Sequence, residues 1–230
     1  MVSAIIPTYN DSKKIVEIVD NLKQVKDISE IIVVDDGSKP EHKQIFKSLS
    51  GVKLITHVVN QGKSQAMKTG FLASKGELIM YVDADLSNMS VEYIQALIDP
   101  VKNDEFEMTI ALRGGGNTEK IINELHLQFA KAISGERVLL KRWVVNNMDI
   151  FDSKGFAIES EINRRLLGDY RVAFVSLPDL KNEIKVQKHG VEGITNDIKM
   201  AFQVMQNVGI FEFLRQSKII SKLPILNPFG

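Results

Sequence analysis

The chain has 230 residues with 29 acidic and 29 basic side chains, so its formal net charge is zero, which argues against a nucleic-acid partner gripped through a basic surface. An apolar fraction of 44% is that of a globular protein with one sizeable core or two small ones, and the absence of cysteine excludes a disulfide framework and a thiolate metal site. No apolar run approaches the ~18 residues that span a bilayer, and Met1 to Ile6 lacks the charged start of a signal peptide. The expectation is a cytoplasmic protein, with peripheral attachment to a membrane left open.

In chain order, Val2 to Ile6 reads as a buried strand closed by Pro7-Thr8-Tyr9-Asn10-Asp11. Asp11 or Ser12 is expected to cap a helix on which Ile15, Ile18, Val19 and Leu22 recur at helical spacing. Ile31 to Val34 is a second strand and ends on acids, in Asp35-Asp36-Gly37-Ser38. Leu54 to Val59 is a third, weaker strand, followed by Asn60-Gln61-Gly62-Lys63-Ser64 and a helix through about Ala73. Leu78 to Val82 is uninterrupted by polar residues and rich in strand formers, the pattern of a parallel strand buried on both faces. It stops on Asp83-Ala84-Asp85, and a helix near 91–101 and a strand near Met108 to Leu112 follow. This alternation predicts an α/β fold, a mostly parallel sheet with helices on both faces. Its ligand crevice is expected outside the carboxyl ends of the strands.

The turns at those ends carry compatible chemistry. Asp83 and Asp85, hard oxygen ligands one residue apart, suit a divalent ion bridging a diphosphate; if the strand geometry ends before them, one acid faces the metal and the other a sugar. Pro7 to Asn10 offers an aromatic face and an amide to a base, Asp36 an acceptor for a base imide, and Gly62-Lys63 close backbone approach and a cation for phosphate. Each has an ordinary alternative: a turn, a cap for the helix starting near Ser90, a solvated lysine.

Taken in order, Pro7-Thr8-Tyr9-Asn10, Val33-Val34-Asp35-Asp36-Gly37-Ser38, Asn60-Gln61-Gly62-Lys63 and Asp83-Ala84-Asp85-Leu86 resemble the signature of family 2 glycosyltransferases of GT-A fold. The resemblance implies a Rossmann-like, mostly parallel sheet. It also implies that Pro7, Thr8, Tyr9, Asn10, Asp11 and Asp36 hold the nucleotide of a nucleotide-sugar, that Gly62 and Lys63 lie near the donor, and that Asp83, Ala84 and Asp85 engage ribose, sugar and metal. Ser64 stands where many members have a second glycine.

In the second half, Arg113-Gly114-Gly115-Gly116-Asn117-Thr118-Glu119, Ser134-Gly135-Glu136-Arg137 and Gly155-Phe156-Ala157-Ile158-Glu159 resemble segments of glucosyl-3-phosphoglycerate synthases and their bacterial relatives. Gly116 occupies the position of an arginine that grips the acceptor's phosphate there. Thr118 is a candidate cap for a helix running to about Ile133. Glu159 matches a glutamate near sugar and acceptor, and a carboxylate there could deprotonate an acceptor hydroxyl; the alternative is an acid favoured in a first helical turn. Asn182 takes the place of the family's metal-binding histidine, with His189, Lys185 and Lys188 nearby.

An amphipathic helix is expected from Gly193 to about Val208, and the tail from Ile210 to Gly230 mixes apolar residues with Arg215, Lys218 and Lys222. That tail fits packing on the domain, self-association as a homodimer, or contact with a membrane interface. The whole reads as one GT-A domain, with 1–112 the donor half and 113–230 the acceptor half. The function expected is transfer of a hexose from a nucleotide-diphosphate sugar, a UDP-sugar in the first place, to an unidentified small-molecule or lipid-linked acceptor. Mg²⁺ or Mn²⁺ is the expected cofactor, Asp85 and Asn182 its ligands, and Asp85 and Glu159 the catalytic pair. The alternatives are a nucleotide-sugar-binding protein without transfer and a nucleotidyltransferase, for which no arginine- and glycine-rich triphosphate loop follows the first strand.

Overall fold

The computed structural model describes residues 1–113, 134–153, 157–182 and 209–229. Within them strand and helix alternate as β1 (Val2–Thr8), α1 (Ile15–Gln24), β2 (Ile28–Asp35), α2 (Pro40–Ser48), β3 (Lys53–Thr56), α3 (Lys63–Ala73) and β4 (Leu78–Tyr81). A short β5 (Leu86–Ser87), α4 (Val91–Lys102) and β6 (Met108–Arg113) complete this half. Then come β7 (Arg137–Leu140), α5 (Lys141–Val145), a 3₁₀ turn (Met148–Asp152), α6 (Ala157–Leu166), β8 (Val172–Leu177), β9 (Lys181–Asn182), α7 (Ile210–Ile220) and β10 (Ile225–Leu226).

Eight strands form one sheet in the order β10-β8-β6-β7-β4-β1-β2-β3. Only β7 runs against its neighbours, β4 and β6; the other pairings are parallel. Alternation along β1 shows why both faces need helices: Ala4 and Ile6 pack with α1 and α4, while Ile5 packs with α3 on the other side. Gly70 lets α3 lie this close, since a Cβ there would overlap Cγ2 of Ile5. A separate two-stranded ribbon pairs β5 with β9 antiparallel, setting Leu86 opposite Asn182.

Several expectations change. α1 begins at Ile15 with Lys14 at its N-cap and no side-chain cap, so neither Asp11 nor Ser12 serves there. The Ser12 hydroxyl instead meets His42 Nδ1 of α2 at 2.9 Å. β3 stops at Thr56, short of Val59, because His57 is drawn inward to Asp36 and leaves Val58 and Val59 exposed. Ser90 does cap α4, accepting from Tyr93 N at 3.3 Å. The tail packs on the domain: Ile220 is buried, β10 adds to the sheet beside β8, and Phe174 N donates to Pro224 O at 2.9 Å. The glycine loop 114–116, the helices expected over 118–133 and 193–208, and Lys185, Lys188 and His189 lie outside the described residues.

Candidate active site

The carboxyl ends of β1 and β2 are stitched together by short side chains. Thr8 Oγ1 donates to Asp11 O at 2.7 Å, Asn10 N donates to Ser38 Oγ at 2.9 Å, and Lys39 N donates to Asn10 Oδ1 at 2.9 Å. Asn10 holds this turn at φ 53°, a left-handed conformation that asparagine tolerates better than most residues. Pro7 is half-buried, Thr8 is buried, and Tyr9 stands 51% exposed at the rim, its ring available to a flat ligand.

Asp36 is buried and already occupied. Its Oδ1 pairs with His57 Nδ1 at 2.7 Å and accepts from Gln61 N at 2.8 Å, and its Oδ2 accepts from Gly62 N at 2.8 Å. Its role in the structure is therefore to hold the 57–62 loop, with one Oδ2 lone pair left over for anything else. Gly37, at φ 77°, is required here: a Cβ would come within 2.6 Å of the Val59 backbone. Gly62 takes φ 93° immediately before α3, whose first residue is Lys63.

A second set of groups gathers where β4, β6, β7 and α6 meet. Strand geometry ends at Tyr81, so Asp83 and Asp85 do not share one environment. Asp83 turns inward: Lys63 Nζ donates to its Oδ1 at 2.8 Å, and Arg113 Nη2 lies 3.5 Å from its Oδ2. Burial opposes ionisation of Asp83, but Lys63 and Arg113 outweigh it and hold the carboxyl at about 2. Gly135 makes room, since a Cβ there would fall 2.5 Å from Asp83 Oδ2. Arg113 grips Glu136 through Nε at 2.8 Å and Nη2 at 2.6 Å, and Glu136 also receives the Ser134 hydroxyl at 3.1 Å.

Lys63 carries a second partner. Its Nζ lies 2.6 Å from Oε1 of Glu159, in the first turn of α6. Burial works against the ammonium's charge, but Asp83 and Glu159 together hold it charged well above the ordinary lysine range. Glu159 is 1% exposed and neither of its oxygens has a hydrogen bond in acceptable geometry, so the Lys63 contact is an ion pair and Oε2 is unsatisfied among the described residues. Arg137 beside it is fully buried, bonded to Asn163 Oδ1 at 3.2 Å and with its Nε unpartnered among the described residues.

Asp85 differs from all of these. It is half-buried and makes no hydrogen bond or ion pair with the described residues, and its neighbour Ala84 is buried. Burial first, and then the nearby charges of Asp83 and Asp11, push its carboxyl up to about 6. A cation would relieve that. Among the described residues no three metal-ligating side chains converge, so the set that fits is one carboxylate, Asp85, completed by diphosphate oxygens and water, as Mg²⁺ and Mn²⁺ accept. Asn182 is brought near by its backbone, opposite Leu86, the residue after Asp85; its side chain lies outside what is described.

Arg113, Gly135, Glu136 and Arg137 lie in segments that carry the resemblance without being given a role by it, and His57 is not singled out by the sequence at all; the structure brings all five to this edge. One signal was available: Glu136-Arg137 opens the apolar run Val138-Leu139-Leu140, and charges leading directly into a buried strand must be paired.

The Glycosyl transferase family 2 model matches residues 3–167. Human dolichyl-phosphate beta-glucosyltransferase is 31% identical over 135 residues, covering 51% of this chain and 42% of that protein. Dolichol-phosphate mannosyltransferase of Pyrococcus furiosus is 38% identical over 108 residues, covering 44% and 30%. The matches thus span less than half the length of these two relatives. Among solved structures, glucosyl-3-phosphoglycerate synthase from Mycobacterium tuberculosis in complex with Mn²⁺, UDP and glucosyl-3-phosphoglycerate superposes with a TM-score of 0.66 at 18% identity, covering 95% of this chain and 80% of that one. A likeness at that identity speaks for the fold, which is GT-A. With its motifs at the carboxyl edge of a GT-A sheet and the family model covering most of its length, the chain belongs to glycosyl transferase family 2.

Proposed function

We propose that this protein transfers a hexose from a UDP-sugar to a phosphate-bearing acceptor, small or lipid-linked, with Mg²⁺ or Mn²⁺ as cofactor. The observation that carries the proposal is Asp85: a half-buried carboxylate that makes no ion pair with the described residues, at the carboxyl edge of the sheet, with Lys63 and Arg113 on neighbouring Asp83. Half-buried charges of this kind are retained where a ligand supplies the missing partner. The relatives named above are dolichyl- and dolichol-phosphate glycosyltransferases by name, and the mycobacterial structure holds Mn²⁺, UDP and glucosyl-3-phosphoglycerate, which supports a nucleotide donor and a phosphorylated acceptor here.

In this reading residues up to 112 serve the donor. Tyr9 stacks on the base, Asn10 and Asp11 line its turn, Asp36 fixes the loop by accepting from the Gln61 and Gly62 amides, and Lys63 faces the diphosphate. Asp85, with Asn182 beside it, would hold the divalent ion, which when bound neutralises charge on the departing nucleoside diphosphate. Residues from 113 onward form the acceptor side, where Glu159 takes the proton of the attacking hydroxyl if the acceptor is a small phosphorylated acid; a polyprenyl phosphate attacks through an oxygen that is already anionic and needs no such base.

The test is a panel of sugar nucleotides with Mn²⁺ or Mg²⁺ against polyprenyl phosphates and small phosphorylated acids, read by mass spectrometry. A hexosylated product from a UDP-sugar is expected. A second reading, a nucleotide-sugar-binding protein, is favoured by the hold of Lys63 on Glu159; binding without transfer or hydrolysis would establish it. Absence of any UDP binding would end both.

A further inference from the structure

We propose that Lys63 is an exchangeable counter-ion that keeps Glu159 captive until a donor diphosphate draws the ammonium away, so that donor binding makes the base available. The inference rests on the function proposed above.

The geometry is specific. One ammonium spans two carboxylates, at 2.8 Å to Asp83 and 2.6 Å to Glu159. The two contacts are unequal in kind: Asp83 receives a well-formed hydrogen bond and further support from Arg113, whereas the Glu159 contact is an ion pair lacking hydrogen-bond geometry. Loss of Lys63 therefore costs Asp83 one of two cations, but leaves Glu159 with no direct partner among the described residues. A carboxylate paired to an ammonium is a weak proton acceptor, because its lone pairs are spent on the cation. Lysine suits the exchange, being a compact charge on a flexible four-carbon stem. Gly62, at φ 93° and, its chain neighbours aside, with no atom of the described residues within 4 Å of where a Cβ would stand, puts open space next to that stem's backbone. An arriving diphosphate offers several anionic oxygens against the two of Glu159, and those left uncovered by the divalent ion can compete for Nζ. The neighbouring Arg137, fully buried and with Nε unpartnered among the described residues, keeps the released carboxylate near a positive charge.

If breaking the Lys63–Glu159 pair opposes donor binding, then removing the charge on Glu159 must strengthen binding. Calorimetry of UDP with Mg²⁺ on the full chain is expected to show Glu159→Gln binding about tenfold tighter than wild type, a difference of ~1.4 kcal/mol. In a Lys63→Met background the same Glu159→Gln change is expected to alter affinity by less than about twofold, because the pair is already gone. Equal tightening in both backgrounds would mean simple relief of repulsion and would overturn the proposal, as would no change in either. Wild-type protein that binds no UDP would instead refute the underlying function. Should the variants fail to fold, the wild type suffices: a nuclear Overhauser contact between Lys63 Hε and Glu159 Hγ protons is expected in the free protein and lost with UDP and Mg²⁺, and its persistence would overturn the proposal.

Discussion

The ends of β1 and β2 and the junction of β4, β6, β7 and α6 are two halves of one edge, yet they are held by different physics. The first is built mainly on backbone amides: those of 10, 38, 39, 61 and 62 are satisfied by short side chains, with Asp36 taking both the Gln61 and Gly62 donors and His57 held further by Thr69 and the Asp35 carbonyl. The second is built from charge, with Lys63 and Arg113 set among Asp83, Glu136 and Glu159. Most of the unmet demand lies there: among the described residues Glu159 Oε2, Arg137 Nε and Tyr81 Oη have no hydrogen-bond partner and Asp85 makes no ion pair, whereas the first half leaves one such atom, Asp35 Oδ2. A turn whose amides are already bonded asks little of a ligand. A charged cluster with one carboxylate left over asks more, and the contrast locates where binding energy is to be gained.

The contrast breaks most sharply at Asp85. Replacing it by Ala is expected to lower metal-dependent turnover by at least about 100-fold, the scale for removing a group that stabilises departing charge, while the fold persists; steady-state rates with and without Mn²⁺ check it. Gly135→Ala comes next, because its Cβ would stand 2.5 Å from Asp83 Oδ2 and force that carboxylate off Lys63. A loss of about 1–3 kcal/mol in urea unfolding, with reduced turnover, is expected from such overpacking. Asp36→Ala tests the amide-built half. It strips the partner from the Gln61 and Gly62 amides and should cost about 1–3 kcal/mol of stability, raising the donor KM more than it lowers kcat.

The smallest effect is a pH dependence. Asp85 is raised from 3.8 to about 6, so between those values the folded protein holds a proton the unfolded chain has released. Stability of the metal-free protein therefore falls as pH rises from about 4 to about 6, and Asp85→Asn removes that slope. Metal competes with the same proton, so Mn²⁺ affinity should fall about tenfold per pH unit below about 6. Thermal unfolding across this range reads the first effect and calorimetry the second.

Much of the first half was legible because its signals are local. The apolar run of β4 and its arrest on acids lie within eight consecutive residues, and the spacing of Ile15, Ile18, Val19 and Leu22 spells out α1. α2 was missed because it buries a single apolar residue, Phe46, which makes no periodic pattern. The antiparallel insertion of β7 between β4 and β6 is a pairing between distant segments that four residues cannot announce. The motif acids were visible, but their surroundings were not. Asp36 looks free for a base until His57 and two loop amides are placed against it, and the separation of Asp83 from the metal acid Asp85 could be foreseen while its partners Lys63, Arg113 and Gly135, distant in the chain, could not.

The most direct measurement is calorimetric titration of UDP into wild-type and Asp85→Asn protein, each with and without Mn²⁺. Binding that strengthens with Mn²⁺ in the wild type and loses that dependence in Asp85→Asn is the predicted result. No uptake of UDP by the folded wild-type protein, or an unchanged metal dependence in the variant, would contradict it.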